Sequence, residues 1–252
     1  MLDDETAMSV NKIEAGLDVA CVHVRGKSWG ANDLASLFAG DNALEAIAEK
    51  TGTYWAVQKQ KVLCATLTGV FNSSSMSAHV NDISANTGDT GIVSAEALID
   101  TETLMGDNYD QITGIMCHSA VMQKLRKLDL IDTIPDSQSQ RSLPFYMGMP
   151  VIVDDMLTPT DGAYPIYLFG EGVIAYNEGD GVQQVETDRD KLAGEDYLIT
   201  RQQFTMHPRG IKWIGTPSGK TASNTELAVG TNWSLVDDIK NIGICKLIAR
   251  IA

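Results

Sequence analysis

The densest group of chemically capable side chains is Cys117-His118-Ser119, in which a thiol, an imidazole and a hydroxyl follow one another. Adjacent side chains leave the backbone in different directions, so these three cannot form a nucleophile and base pair with one another. The motif lies where a predicted strand meets a predicted helix. We therefore interpret Ser119, alone or together with His118, as the cap of that helix.

Two acidic clusters have the side chains needed to bind magnesium or to act as an acid and base pair. They are Asp154-Asp155 and Asp188-Arg189-Asp190. Acidic residues at turns are expected from composition in a chain with 33 acidic and 19 basic residues. The neighbouring Arg189 and Lys191 favour ion pairing over metal binding.

Two further motifs match ligand-binding motifs in their letters only. Gly170-Glu171-Gly172-Val173-Ile174-Ala175 fits a dinucleotide fingerprint, but a glutamate would face the pyrophosphate and no helix is predicted after it. We predict a tight turn between two strands. His207-Pro208-Arg209-Gly210 has groups for a phosphate, yet it equally describes a proline break before a strand.

The sequence therefore predicts no catalytic, cofactor-binding or metal site. His23 and His79 have no partner within motif distance. Cys21, Cys64, Cys117 and Cys245 stand singly, whereas zinc and redox motifs need paired spacing. We predict reduced, buried thiols, no cofactor and no enzymatic activity.

The charge of the chain excludes some classes of partner. A formal net charge of −14 argues against a dedicated nucleic-acid reader and against docking on anionic lipid. No apolar run approaches the roughly 18 residues of a membrane span. We expect a soluble, unexported protein without a leader.

The elements that position these motifs are dominated by one long helix. A helical pattern capped by Asp41 runs to about Phe71, some 45 Å at 1.5 Å per residue. Residues 1–30 have strand chemistry but no partner nearby in sequence, so they must pair with a distant segment or another chain. The other predicted elements are a helix over 94–105, a strand over 112–117, a helix over 119–128, a loop over 131–143, and strands over 151–153, 166–169, 173–176, 183–186 and 241–251.

Six segments, in this order along the chain, carry a family resemblance: AMSVNKIEAGLDVACVHVRGKSWG, NALEAIAEKTGTYWAVQKQKVLCATLTGVF, ITGIMCHSAVMQKLRKLDLI, YMGMPVIVDDM, ETDRDKLAGEDYLITRQQFTMHPRGIKWIG and NTELAVGTNWSLVDDIKNIGICKLIARI. Together they resemble a tailed-bacteriophage or prophage major capsid protein with the Hong Kong phage 97-type fold. The last two segments are the most specific, and the resemblance covers nearly the whole chain.

The resemblance implies an α+β fold with a long spine helix, a peripheral domain, an axial domain and an extended loop. Residues 1–30 would be an extended-loop remnant, 31–105 the peripheral domain with the spine helix, 106–181 the axial domain, and 182–252 the return to the peripheral domain with the C-terminal strand. Segments 31–90 and 182–252 should meet in space. Family members carry an arm and an ascending strand before the loop, so we expect a truncated or processed chain. No residue pair for subunit cross-linking is identifiable.

The resemblance also implies function and partners. It predicts a structural protein that self-assembles through hexamers and pentamers into an icosahedral shell around DNA, with portal and scaffolding proteins as partners. It places the protein in the virion capsid, and in the bacterial host cytoplasm before assembly, with no membrane contact. An encapsulin-like compartment is the first alternative. An α+β hydrolase using Asp154, Asp155 and His118 is the second.

Charge placement follows from the need to enclose packaged double-stranded DNA. Contact with that DNA should be non-specific and salt-dependent. We expect the basic cluster to face the shell interior or a neighbouring subunit, and the acidic residues of the middle segment to gather around axial loops. The basic cluster is Arg25, Lys27, Lys50, Lys59 and Lys61, and the acidic set is Asp154, Asp155, Asp161, Glu171, Glu178 and Asp180.

Overall fold

The computed structural model describes residues 16–40, 43–135 and 142–252. The helices are α1 (Asp33–Ala39), α2 (Ala43–Asn72), α3 (Ala95–Glu102), α4 (Ser119–Lys127) and α5 (Asn224–Leu227). The strands are β1 (Val22–Asn32), β2 (Val80–Asp82), β3 (Ile112–Cys117), β4 (Asp132–Pro135), β5 (Ser142–Tyr146), β6 (Met149–Val153), β7 (Ala163–Gly170), β8 (Ile174–Gly179), β9 (Val185–Asp190), β10 (Glu195–Pro208), β11 (Ile211–Trp213), β12 (Trp233–Leu235) and β13 (Ile244–Arg250).

The long helix is present as predicted. Helix α2 has 30 residues, so it is about 45 Å long. Its burial is uneven: Trp55 is the first buried residue, and most of the buried side chains lie between Val62 and Phe71. The N-terminal half therefore projects beyond the core. The predicted cap Asp41 lies outside the described residues.

One sheet lies beside the first half of α2, and we call it the peripheral sheet. Its order is β1-β10-β8, with β9 also paired to β10. Strand β1 pairs antiparallel with β10 along its whole length, from Val22 opposite Thr205 to Asn32 opposite Glu195. The prediction that the N-terminal segment pairs with a distant one is thus confirmed for 22–32. Val19 is 41% exposed, and residues 1–15 lie outside the described part.

The second sheet has seven strands in the order β2-β13-β7-β3-β6-β5-β4. Strand β3 runs parallel to β6, and α4 lies between them in sequence. The last strand, β13, lies between the edge strand β2 and β7, so the C-terminal strand is enclosed on both sides within a sheet built mainly by the middle of the chain. Two apolar cores result. One joins α2 to the peripheral sheet, β11 and β12, and the other joins α3 and α4 to the seven-stranded sheet.

The predicted loop over 131–143 is wrong in part. Strands β4 and β5 pair antiparallel there, with Thr133 opposite Pro144 and Pro135 opposite Ser142. Pro135 is tolerated because β4 is the edge strand of its sheet, where an amide hydrogen is not required on the open side. Pro144 lies on β5 just before the two residues, Phe145 and Tyr146, that pair with β6. The polar sequence of this segment is consistent with the position of β4 at the edge of the sheet.

The two distant segments meet as predicted. Helix α2 contacts α5 and β10, and β2 pairs with β13. The predicted domain boundaries at 30, 105 and 181 remain predictions. Strand pairing crosses one of them, since β8, from the predicted axial segment, joins the peripheral sheet. Within the described residues, no helix is long and apolar enough to cross a membrane.

We expect the free energy of unfolding to decrease as the pH is lowered. The reason is that His23 is buried, and neither of its ring nitrogens has a hydrogen-bond partner in the described part of the chain. Burial, and then the charge of Arg25, lowers the pKa of His23 from 6.5 to about 4. The unfolded chain gains this proton near pH 6.5 and the folded chain only near pH 4. The contribution of neutral His23 to the free energy of unfolding is therefore complete above pH 6.5. On acidification to pH 4 that free energy decreases by about 3 kcal/mol.

Chemical denaturation between pH 4 and 7 measures this effect. The variant His23→Leu, which does not titrate, should show a correspondingly shallower pH dependence than the wild type. Equal slopes in the two proteins would contradict the assignment.

Candidate assembly surface

The Cys117-His118-Ser119 motif caps α4, but the prediction is wrong for Ser119, because His118 is the cap and Ser119 is the first residue of the helix. His118 is the N-cap residue, and its Nδ1 accepts a hydrogen bond of 3.0 Å from the backbone N–H of Ala120. The Oδ1 of Asp155 accepts a 3.1 Å bond from the N–H of Ser119 and lies 3.7 Å from His118 Nε2. Hydrogen bonding to Ser119 lowers the pKa of the Asp155 carboxyl. These groups satisfy the first amides of a helix.

Asp154 is turned away from this cap. It is 4% exposed, its Oδ2 accepts from Cys64 Sγ at 3.4 Å, and its Oδ1 accepts from the N–H of Met156 at 2.8 Å. Burial, with the Asp154 charge second, raises the pKa of Cys64 to about 12. The structure therefore brings His118 and Asp155 together but separates Asp154 from them. The expectation that Asp154 lies at an axial surface loop is wrong, because it fastens the chain after β6 to α2.

The glycine motif forms the predicted turn between strands. Gly172 has φ +69° and β8 begins two residues later, so no helix follows to hold a pyrophosphate. His207 and Pro208 are the last two residues of β10, and Arg209-Gly210 joins it to β11, so a break at the proline precedes a strand as that interpretation expected. The anionic group that contacts this motif is the carboxylate of Asp18 from the same chain. Asp18 Oδ1 lies 2.7 Å from His207 Nε2, and Asp18 Oδ2 accepts from the N–H of Gly210 at 3.1 Å.

The two isolated histidines are both buried. His79 Nδ1 lies 3.0 Å from the carbonyl oxygen of Ile244, a partner that sequence spacing did not reveal. His23 packs on the Phe204 ring at a centroid distance of 5.3 Å. The four cysteines are buried and unpaired in disulfides. Among the described residues, no three His, Cys, Asp or Glu side chains are grouped to hold a metal ion.

The predicted ion pairing of Asp188 and Asp190 with the neighbouring Arg189 and Lys191 is wrong, because Arg189 pairs instead with Asp33 and Asp196. Its guanidinium is 2.7 Å from the Asp33 carboxylate and 2.8 Å from that of Asp196. Both carboxylates raise the pKa of Arg189. The backbone N–H of Asp33 also donates to the carbonyl of Gly194 at 3.0 Å. These contacts fix the β9–β10 turn against the start of α1.

Two members of the predicted basic cluster are engaged by their own chain. Lys59 forms an ion pair with Glu178, and Arg25 donates to the carbonyl of Ala222 at 2.6 Å and to Asn224 Oδ1 at 3.1 Å. The expectation that Glu178 lies at an axial loop is therefore wrong, because β8 returns to pair with β10 and carries Glu178 over α2. Lys27, Lys50 and Lys61 are exposed.

The most prominent apolar surface lies at this same end of the peripheral sheet, and sequence reasoning missed it. Leu34, Leu37 and Phe38 of α1 are 61%, 74% and 87% exposed, and Leu192 in the β9–β10 turn is fully exposed. We call these four residues the α1 patch. Grouped exposed apolar side chains mark interaction surfaces. The i, i+3, i+4 spacing of Leu34, Leu37 and Phe38 was the available signal.

Comparison with known proteins gives the identity of this architecture. A family model for major capsid protein 13-like (Gp13-like) chains matches residues 39–243. The major capsid protein of Bacillus phage SPP1 is 40% identical over 257 residues, which cover 100% of this chain and 79% of that protein.

Solved structures show the fold. The head of Helicobacter pylori bacteriophage KHP40 aligns with a TM-score of 0.58 at 8% identity, over 93% of this chain and 76% of that one. The capsid of Ralstonia phage GP4 gives 0.57 at 8%, over 99% and 81%. The holo-SrpI encapsulin complex from Synechococcus elongatus PCC 7942 gives 0.56 at 10%, over 92% and 75%.

At such identities the structural matches establish the Hong Kong phage 97-type α+β fold, which confirms the predicted fold class, but they do not separate a phage capsid from an encapsulin. The family model and the SPP1 relative make that separation, because both describe phage major capsid proteins. The chain belongs to the Gp13-like family of tailed-phage major capsid proteins.

Proposed function

We propose that copies of this chain assemble as hexamers and pentamers into a closed icosahedral shell that encloses double-stranded DNA. Membership of the Gp13-like family, with the match over residues 39–243, is the observation that carries this proposal. The shell would be the virion capsid, and unassembled subunits would reside in the bacterial host cytoplasm. Portal and scaffolding proteins would be the other partners.

The geometry supports lateral contact between copies through the end of the peripheral sheet. The exposed N-terminal half of α2 and the α1 patch extend beyond the two apolar cores. An amphipathic helix that exposes its apolar face is completed by burial against another surface. A second copy is the occupant that a self-assembling shell supplies at this position. We therefore assign the α1 patch to contacts between subunits.

The role proposed toward DNA is enclosure rather than recognition. With a net charge of −14, the chain offers few cations to neutralise phosphates. Lys27, Lys50 and Lys61 are exposed and available for non-specific contacts. Such contacts would be weak and would decline steeply with salt. The absence of enzymatic activity belongs to the same proposal, since the candidate groups His118 and Asp155 are occupied as a helix cap.

Electron microscopy and light scattering of the full-length protein, produced together with its scaffolding protein, test the shell proposal. We expect hollow particles or free pentamers and hexamers. A protein that remains monomeric under these conditions would contradict the proposal. Particles that take up a protein cargo, and fail to package DNA when portal and terminase are supplied, would favour the encapsulin-like alternative.

A further inference from the structure

A small cavity lies between the C-terminal half of α2 and the seven-stranded sheet. Its volume is about 220 Å³, which is room for several water molecules or a small ion. Sites for drug-sized ligands begin at about 300 Å³, so this cavity suits an ion or a very small molecule. Its walls come from α2, the chain between β6 and β7, and strands β7 and β13.

Lys246 is the one charged side chain among the residues that line this cavity. It lies in β13 with Tyr167 opposite it in β7, and it is 8% exposed. Its Nζ lies 5.8 Å from the centre of the Tyr167 ring and 6.0 Å from that of Phe71. Within the described chain, this ammonium has no hydrogen bond and no ion pair.

Among the residues that the structure describes, no carboxylate lies close enough to Lys246 to form an ion pair. Asp82 on β2 acts on it only at longer range, and its carboxylate accepts bonds from the N–H and hydroxyl of Ser84. Burial lowers the pKa of Lys246. Two aromatic rings compensate an ammonium removed from bulk solvent only in part, since a cation–π contact contributes about 0.5–2 kcal/mol. The N–H donors of Lys246 are left to bind solvent or a ligand in the cavity.

Hydroxyl groups from several elements complete the lining. Thr68 of α2, Thr158 and Thr160 of the β6–β7 segment, and Tyr167 all border the cavity. The Thr68 hydroxyl already donates to the carbonyl of Cys64 at 2.7 Å. Thr158 and Thr160 are exposed at the mouth, so solutes can reach the cavity from solvent. A cation surrounded by hydroxyl donors matches an oxygen-rich anion.

We propose that this cavity binds a small oxyanion, the carboxylate or phosphate group of a small ion or molecule, with Lys246 as its counter-charge. The anion would accept hydrogen bonds from Lys246 Nζ and from the hydroxyls of Thr158 and Thr160, since that of Thr68 is already used. Because α2, β7 and β13 all contribute to the walls, an occupied site ties the spine helix to the seven-stranded sheet. Binding therefore stabilises the folded subunit.

Thermal unfolding of the full-length subunit in sodium acetate or sodium phosphate, each compared with sodium chloride at equal ionic strength, tests this site. We expect one or both anions to raise the Tm of the wild type by about 3 °C once the concentration exceeds Kd tenfold. Lys246→Met, which keeps the side-chain length, should lose this increment. Lys61→Met, an exposed lysine on α2, should keep it.

Equal increments in the wild type and both variants would overturn the proposal, because they would report a general salt effect. If Lys246→Met does not fold, Thr160→Val decides the question through line broadening of phosphate (³¹P) and of acetate (¹³C). Broadening of either anion by the wild type that weakens in Thr160→Val supports the site, and no broadening of either anion by the wild type overturns it. The same titration on assembled shells identifies where the oxyanion comes from. If added anion still raises the Tm of shells, the site binds a free ion. If it raises the Tm of subunits only, a carboxylate from a neighbouring copy occupies the site in the shell.

Discussion

Replacing Phe38 with aspartate is expected to prevent shell assembly while leaving the subunit folded. Phe38 is 87% exposed, so its loss removes almost no packing from the subunit itself. Burying a phenylalanine against a second copy contributes about 1.5–3 kcal/mol, and burying an unpaired carboxylate there costs more. Each contact should therefore weaken at least tenfold. Because every copy carries the change, assembled particles should disappear from electron micrographs.

The matched control is Phe38→Leu, which keeps an apolar side chain at the same position and should still assemble. Circular dichroism of the unassembled subunits checks that both variants fold. Full assembly of Phe38→Asp would show that the α1 patch lies outside the contacts between copies. Loss of assembly in both variants, with folding intact, would indicate that the ring shape of Phe38 is required.

Periodicity predicted those elements whose burial follows their own sequence. The long helical pattern gave α2 to within two residues, and the apolar run over 112–117 gave β3. Each element buries side chains at a regular spacing, and this spacing can be read from the local sequence without knowing which elements pack against it. Strands β4 and β5 were missed because an edge pair buries little and tolerates proline. Strands β4 and β5 are defined by backbone hydrogen bonds, and the pattern of side chains along the sequence does not predict these bonds.

The surface features depended on contacts between residues far apart in sequence. Lys59 and Glu178 are 119 positions apart, and Arg189 reaches Asp33 across 156. Composition indicates that such charges are exposed or paired, but the pairing of β8 and β9 with β10 decides which charged residues come together. Lys246 was detectable in principle, because a single lysine interrupts the apolar run from Ile244 to Ile248.

Gly69→Ala is expected to destabilise the subunit severely. A Cβ at Gly69 would lie 1.8 Å from the carbonyl oxygen of Leu227 and 2.6 Å from Trp233 Nε1. Those two atoms are themselves hydrogen-bonded at 2.8 Å, so the methyl group must displace α5 and break that bond. Overpacking costs about 1–3 kcal/mol and the lost bond about 1. We expect the free energy of unfolding to fall by about 3 kcal/mol and the Tm by about 10 °C.

The same substitution earlier in the same helix should have the opposite sign. Gly52 has no atom within 4 Å of its added Cβ, so Gly52→Ala only removes the flexibility of a glycine in a helix. That change should raise the free energy of unfolding by about 0.5–1 kcal/mol. Denaturant unfolding of both variants therefore distinguishes a glycine that only weakens the helix from one that is needed for packing. From the sequence, both glycines are expected to weaken α2. In the structure, the missing side chain of Gly69 allows α5 and Trp233 to approach the α2 backbone. Equal stabilisation by both substitutions would show that this close approach is not required for the fold.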